Sequence, residues 1–271
     1  MEHSDDNLAA FAEHGATPLP AATVEGRVER DGARIWYATY GSGEPVILLH
    51  GGLGHSGNWG FQVPALLDTG HRVILIDGRS TRDRKPYTYE LMAADVLAVM
   101  DRLDIQKAAF AGWSDGACIA LTLASQTPER VSGVFFFACN MDPSGTKDIE
   151  PSPVLDRCFS RHAEDYRALS ATPDDFSAFV DAVSEMQRTE PNYTAEDLGK
   201  IRVPVVIVQS ENDEFIKHEH ADHLARSIPG AAFILLDGVS HFAPLQRPDR
   251  FNAALTAFLV ALEDEPKGDA Q

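Results

Sequence analysis

The sequence predicts an α/β fold: a mostly parallel, doubly wound sheet of about eight strands, helices on both faces, and an inserted helical cap. Three observations predict it. Short apolar runs such as Val46–His50, Ala108–Gly112 and Val203–Gln209 alternate with longer amphipathic stretches. Strands apolar on both faces and separated by helices belong to parallel sheets covered on each side. One stretch, residues 140–200, breaks the alternation with helical patterns and no strand. A connection that long between two sheet strands reads as a cap over the strand ends.

Taken in order, residues 1–22 read as an N-terminal arm broken at Pro18 and Pro20. A hairpin follows, Gly26–Glu29 and Arg34–Tyr40 around Asp31-Gly32. Beyond the Gly41-Ser42-Gly43 turn come strands at Val46–His50, Arg72–Asp77, Ala108–Gly112, Val131–Ala138, Val203–Gln209 and Ala232–Leu236. Helical patterns lie at Trp59–Leu67, Thr88–Leu103, Asp115–Gln126, His218–Ser227 and Pro248–Leu262. The cap carries two more, Pro153–Ala168 and Pro173–Arg188. The division is therefore an arm (1–22), a core (23–139 and 201–265) and a cap (140–200).

Composition narrows the function classes. The chain has 271 residues, 44% of them hydrophobic, which fits a folded protein rather than a disordered one. Its 41 acidic against 23 basic residues leave a net charge of −18, which repels nucleic-acid phosphates and anionic lipid. Neither nucleic acid nor membrane is an expected partner. No apolar run approaches the roughly 20 residues of a membrane helix, and the first 20 residues do not read as a signal peptide. Three cysteines, Cys118, Cys139 and Cys158, form no ligand spacing and no disulfide framework. A reducing, cytoplasmic setting is the expectation, with no cofactor and no metal.

The chemistry sits at strand ends. Ala108–Gly112 runs into Gly112-Trp113-Ser114-Asp115-Gly116, a G-x-S-x-G between a strand and a helix. There a serine projects from a sharp turn with no neighbouring side chain in its way. A serine hydroxyl needs a base to become a nucleophile. Of ten histidines, His241 is set apart, because it directly follows the last strand in Gly238-Val239-Ser240-His241-Phe242. His3, His14, His218, His220 and His223 read as surface residues, and His50 as a brace for its loop. The base in turn needs a carboxylate, and Asp213 follows its strand in Ser210-Glu211-Asn212-Asp213-Glu214. Glu211, Glu214 and Asp142 compete for that role. The turn His50-Gly51-Gly52-Leu53-Gly54 lets backbone approach a bound carbonyl, so the N–H groups of Gly52 and Asp115 are the candidate oxyanion donors.

In the order oxyanion loop, Ser114, Asp213, His241, these pieces resemble the α/β-hydrolase superfamily over residues 24–263. The Gly-Trp-Ser-Asp-Gly elbow is similar to an esterase-like branch. The resemblance implies acyl transfer to water: a serine hydrolase acting on a small or medium carboxylic ester, lactone or thioester through an acyl-enzyme. Two alternatives use the same scaffold, a carbon–carbon bond hydrolase with the same triad and a receptor that binds without turnover. Relatives with an aspartate nucleophile are set aside, because Ser114 stands in that place.

The chain departs from the superfamily pattern twice. Asp77-Gly78-Arg79-Ser80 is shorter than the usual Asp-x-Arg-Gly-x-Gly-x-Ser, and the acid loop has Ser210 and Glu214 where glycine and proline are common. Around the site, the cap side chains Phe159, Tyr166, Phe176, Phe179, Met186 and Tyr193 are candidates for an apolar pocket. The cluster Arg79, Arg82, Arg84 and Lys85 is a candidate for gripping a substrate carboxylate, and Asp115 for attracting a cation.

Overall fold

A computed structural model describes residues 7–78 and 87–264. Its centre is an eight-stranded sheet of β1 (Val24–Arg30), β2 (Ala33–Tyr40), β3 (Pro45–Leu49), β4 (Arg72–Ile76), β5 (Ala108–Trp113), β6 (Val131–Phe137), β7 (Val205–Asn212) and β8 (Ala232–Ser240). The spatial order is β1-β2-β4-β3-β5-β6-β7-β8. The hairpin strand β2 pairs antiparallel with β1 and β4, and every other pairing is parallel. Parallel neighbours need crossovers, and helices supply them, so all six parallel strands end at one rim. That rim receives the loops after β3, β5, β7 and β8.

β5 is buried along its whole length and β3 along all but its first residue, which explains their unbroken apolar runs. One face of the sheet is covered by α3 (Tyr89–Arg102), α4 (Asp115–Gln126) and α8 (His218–Ser227). The opposite face is covered by α2 (Gln62–Asp68) and α10 (Pro248–Asp264). On the second face Phe251 packs edge-on against Phe135 and Phe137, with ring centroids 5.3 and 5.1 Å apart. Each of these rings is fully buried, and such a side chain contributes about 1.5–3 kcal/mol by leaving water.

Residues 140–200 contain no strand of the sheet; they hold α5 (Pro153–Leu169), α6 (Phe176–Thr189) and α7 (Ala195–Leu198). The first helix and the last strand are among the elements that differ from the sequence reading. Residues 8–14 are not arm but helix α1, whose Leu8 and Phe11 are buried where it packs on α5 and on α9 (Ala243–Gln246). The final strand runs on to Ser240 rather than stopping at Leu236, because Asn212 of β7 still pairs with Ser240 across a register shift. That extension carries β8 to the threshold of His241.

Candidate active site

Ser114 occupies the turn between β5 and α4 with φ +54° and ψ −126°. A non-glycine residue held there costs about 1–3 kcal/mol and persists only where its surroundings enforce it. Both flanking glycines are part of that enforcement. A Cβ on Gly116 would lie 2.1 Å from the Leu49 carbonyl oxygen, and one on Gly112 would lie 2.4 Å from the backbone of Ala117. The helix start thus presses against β3 and β5, and the serine side chain is the one displayed. Its hydroxyl makes no hydrogen bond to any described residue, and Gly51 leaves it room: a Cβ there would sit 3.3 Å from that of Ser114. Base–nucleophile contacts often close only around a substrate.

His241 follows β8 and is buried under three rings. Phe215 stands 4.6 Å away, Phe242 5.7 Å and Trp113 6.3 Å, centroid to centroid. Its Nδ1 faces the Asp213 carboxylate at 3.0 and 3.1 Å. Asp213 is fully buried and is held in place by accepting the N–H groups of Phe215 and Ile216, both at 2.9 Å. Burial alone would pull the imidazole below its usual pKa. The charge and hydrogen bond of Asp213, with the charges of Glu214 and Asp115, outweigh burial and leave it raised. The residues on either side of Ser114 therefore both reach His241, Trp113 through its ring and Asp115 through its charge.

The rival carboxylates are engaged elsewhere. Glu214 accepts the backbone N–H of His241 at 2.9 Å, and burial raises its pKa. Glu211 accepts from Gly238 N–H at 2.7 Å. Asp142 lies 3.6 Å from Nδ1 of His220. His220, expected on the surface, is instead buried, and its Nε2 accepts the N–H of Met141 at 3.0 Å.

The loop after β3 meets the start of α4. Neither the N–H of Gly52 nor that of Asp115 donates to any described residue. The Asp115 carboxylate is buried, which raises its pKa. It accepts from Tyr89 Oη at 2.6 Å and from Gln187 Nε2 at 2.9 Å. This carboxylate therefore ties α4 to α3 and to α6. The sequence offers the Asp115 side chain only as an attractor for a cation and does not show this junction, since Tyr89 and Gln187 come from distant segments. His50 does brace its loop: Nδ1 lies 2.7 Å from the Gly51 carbonyl and Nε2 accepts from Gly78 N–H at 3.2 Å.

Beside this loop opens a cavity of about 570 Å³. Gly51, Gly52 and Asp115 stand on its wall; Ser114 and His241 do not. Of the six cap candidates, Tyr166, Phe179 and Met186 line it, whereas Phe159 packs on Phe215 and Phe176 on Tyr166. Tyr193 packs against the core. The wall also includes His55 and His162, which the sequence did not single out. Arg79, Arg82, Arg84 and Lys85 lie outside the described residues. Cys118, Cys139 and Cys158 are all buried, Cys118 Sγ resting 2.8 Å from Cys139 Sγ. Among the described residues no helix is long and apolar enough to cross a membrane.

Comparison with known proteins agrees with this architecture. A family model described as "Alpha/beta hydrolase family" matches residues 46–254. RutD of Pseudomonas syringae pv. syringae (strain B728a), whose name assigns it carbamate hydrolysis, is 28% identical over 79% of this chain and 93% of its own. The mouse (Mus musculus) serine hydrolase BPHL is 26% identical over 88% of this chain and 87% of its own. Among solved structures, Est816, described as an N-acyl homoserine lactone degrading enzyme, superposes with a TM-score of 0.68 at 28% identity. That match covers 86% of this chain and 99% of Est816. The chain belongs to the alpha/beta hydrolase family and is a hydrolase.

Proposed function

We propose that the chain hydrolyses a small or medium carboxylic ester, lactone or thioester, with Ser114 as nucleophile, His241 as base and Asp213 as the acid that orients it. The observation that carries this reading is the buried Asp213 carboxylate against Nδ1 of His241 at 3.0 Å. That contact fixes the proton on Nδ1 and leaves Nε2 to take a proton from a hydroxyl. Ser114 attacks the carbonyl carbon, and its proton passes to His241. The N–H groups of Gly52 and Asp115 receive the oxyanion, each such donor being worth about 3 kcal/mol in the transition state. His241 then protonates the departing alkoxide, and the same histidine activates the water that releases the acid.

Residues 140–200 act as the cap in this reading, and the cavity they share with the core, walled by Tyr166, Phe179, Val183 and Met186, suits an apolar substrate portion. The names of the three relatives support acyl chemistry, since they describe a carbamate hydrolase, a serine hydrolase and a lactone-degrading enzyme. The test is steady-state hydrolysis of nitrophenyl esters of graded acyl length by the wild type and by Ser114→Ala. The wild type is expected to turn over, and the variant to lose about 10⁴–10⁶-fold in kcat while keeping its fold. Undiminished turnover by the variant would reject the mechanism.

A further inference from the structure

An imidazole taken out of water must find partners for its two ring nitrogens, and three imidazoles on the cavity wall invite comparison. His50 engages both nitrogens, as described above. His55 does the same: Nδ1 accepts from Gly57 N–H at 3.1 Å, and Nε2 lies 3.3 Å from the Asp165 carboxylate. His162, on α5, engages neither. It is 4% exposed, and its Nδ1 is fully enclosed without a partner. Nε2 also has no partner among the described residues, but it is not enclosed, and the surface that the ring presents is cavity wall.

Packing does not explain a histidine there. Its ring neighbours are Phe11 at 5.9 Å and Phe242 at 6.4 Å, apolar contacts that a phenylalanine would make without burying two polar nitrogens. Burial, reinforced by the charge of His55, pushes its pKa down to about 4, so the ring is neutral at neutral pH and offers one donor and one acceptor. The charges of His55 and His50 at the ring oppose a cationic ligand and that of Asp165 an anionic one, which suits a neutral polar group. Phe242 joins His162 to the base, since it touches both rings. His162 therefore stands on the His241 flank. When a serine cleaves an ester, the histidine hands its proton to the departing oxygen, so the alcohol portion lies on that flank.

We propose that His162 is a specificity-determining residue whose Nε2 hydrogen-bonds a neutral polar group, a hydroxyl or an amide, on the alcohol portion of the substrate. This rests on the serine-ester reading above. A site built to pair a hydroxyl discriminates strongly against the analogue that lacks it, because its own polar group is then left unpaired.

The experiment holds the acyl group constant and compares hydroxyalkyl esters with alkyl esters of equal length, for example 3-hydroxypropyl against butyl, over several lengths by pH-stat. The wild type is expected to favour the hydroxyl ester in kcat/KM by about tenfold or more at one length. His162→Phe is expected to bring that ratio to about one while the variant still reacts with a fluorophosphonate. His162→Gln, which keeps a donor and an acceptor, is expected to retain part of the preference. A wild-type ratio at or below one at every length, in an enzyme that turns esters over, overturns this proposal alone, and so does a ratio that survives His162→Phe. Absence of turnover together with absence of fluorophosphonate labelling overturns the ester reading and this proposal with it.

Discussion

His241 sits between opposing influences: burial favours its neutral form, and the carboxylates of Asp213, Glu214 and Asp115, which favour its charged form, outweigh burial and raise its pKa. A base must be neutral to accept a proton, so kcat/KM is expected to rise with pH through an apparent pKa above 6.5. Glu214→Gln removes one of the charges that raise it and is expected to shift this limb to lower pH; a pH–rate profile checks the sign. Asp213→Asn is expected to cost about 10⁴ in kcat, since it loses both the tautomer and the charge, and Glu214→Gln far less. Equal losses would reassign the acid. The positions of the candidates Ser114, Asp213 and His241 were legible in the sequence because each stands just past a strand. The sequence alone leaves Glu211 and Glu214 in competition with Asp213. All three sit within four residues, and their different partners, His241 Nδ1, Gly238 N–H and His241 N–H, appear only when β7 and β8 are side by side. His162 had a signal that went unread. It shares the buried face of α5 with Leu155, Cys158 and Asp165 at helical spacing, and a polar residue on an apolar stripe needs a reason.

The elbow between β5 and α4 is where element geometry and chemistry meet. Gly116→Ala would drive a Cβ into the Leu49 carbonyl, and neither β3 nor α4 can retreat from the sheet. The expected result is a loss of roughly 1–3 kcal/mol or more of stability, or failure to fold, read by thermal melting. Gly78→Ala is the control, because there a Cβ meets no atom of the described residues closer than 3.8 Å. A stable, active Gly116→Ala would contradict the described elbow. The central strands β3 to β7 were legible because burial on both faces leaves an almost unbroken apolar run. Helix α1 was not, since seven residues carry too little periodicity to stand out; it is held by Leu8 and Phe11 against α5 rather than by its own propensity. The end of β8 was missed because Asp237 and Gly238 interrupt the apolar pattern while pairing continues beyond them.

At the scale of the whole molecule, His50, His162 and His220 share one thermodynamic consequence. Burial lowers each pKa in the folded state, whereas in the unfolded chain they titrate near 6.5. Below about pH 6.5 the unfolded chain binds the more protons, so this contribution to stability is complete above that pH and is lost as pH falls, for His162 down to about 4. Asp115, Glu214 and His241, whose pKa values are raised, act in the opposite sense. A difference measurement separates the two. His162→Phe is expected to lose less stability than the wild type between pH 7 and pH 5 in urea unfolding. Parallel pH dependences would contradict the buried, neutral imidazole.

The most direct test of the central claim is to map a fluorophosphonate adduct by peptide mass in the wild type and in His241→Ala. The account expects one adduct per chain, on the peptide containing Ser114, and a labelling rate that collapses in the variant. An adduct on another residue, or labelling of Ser114 that proceeds as fast without the imidazole, would contradict it.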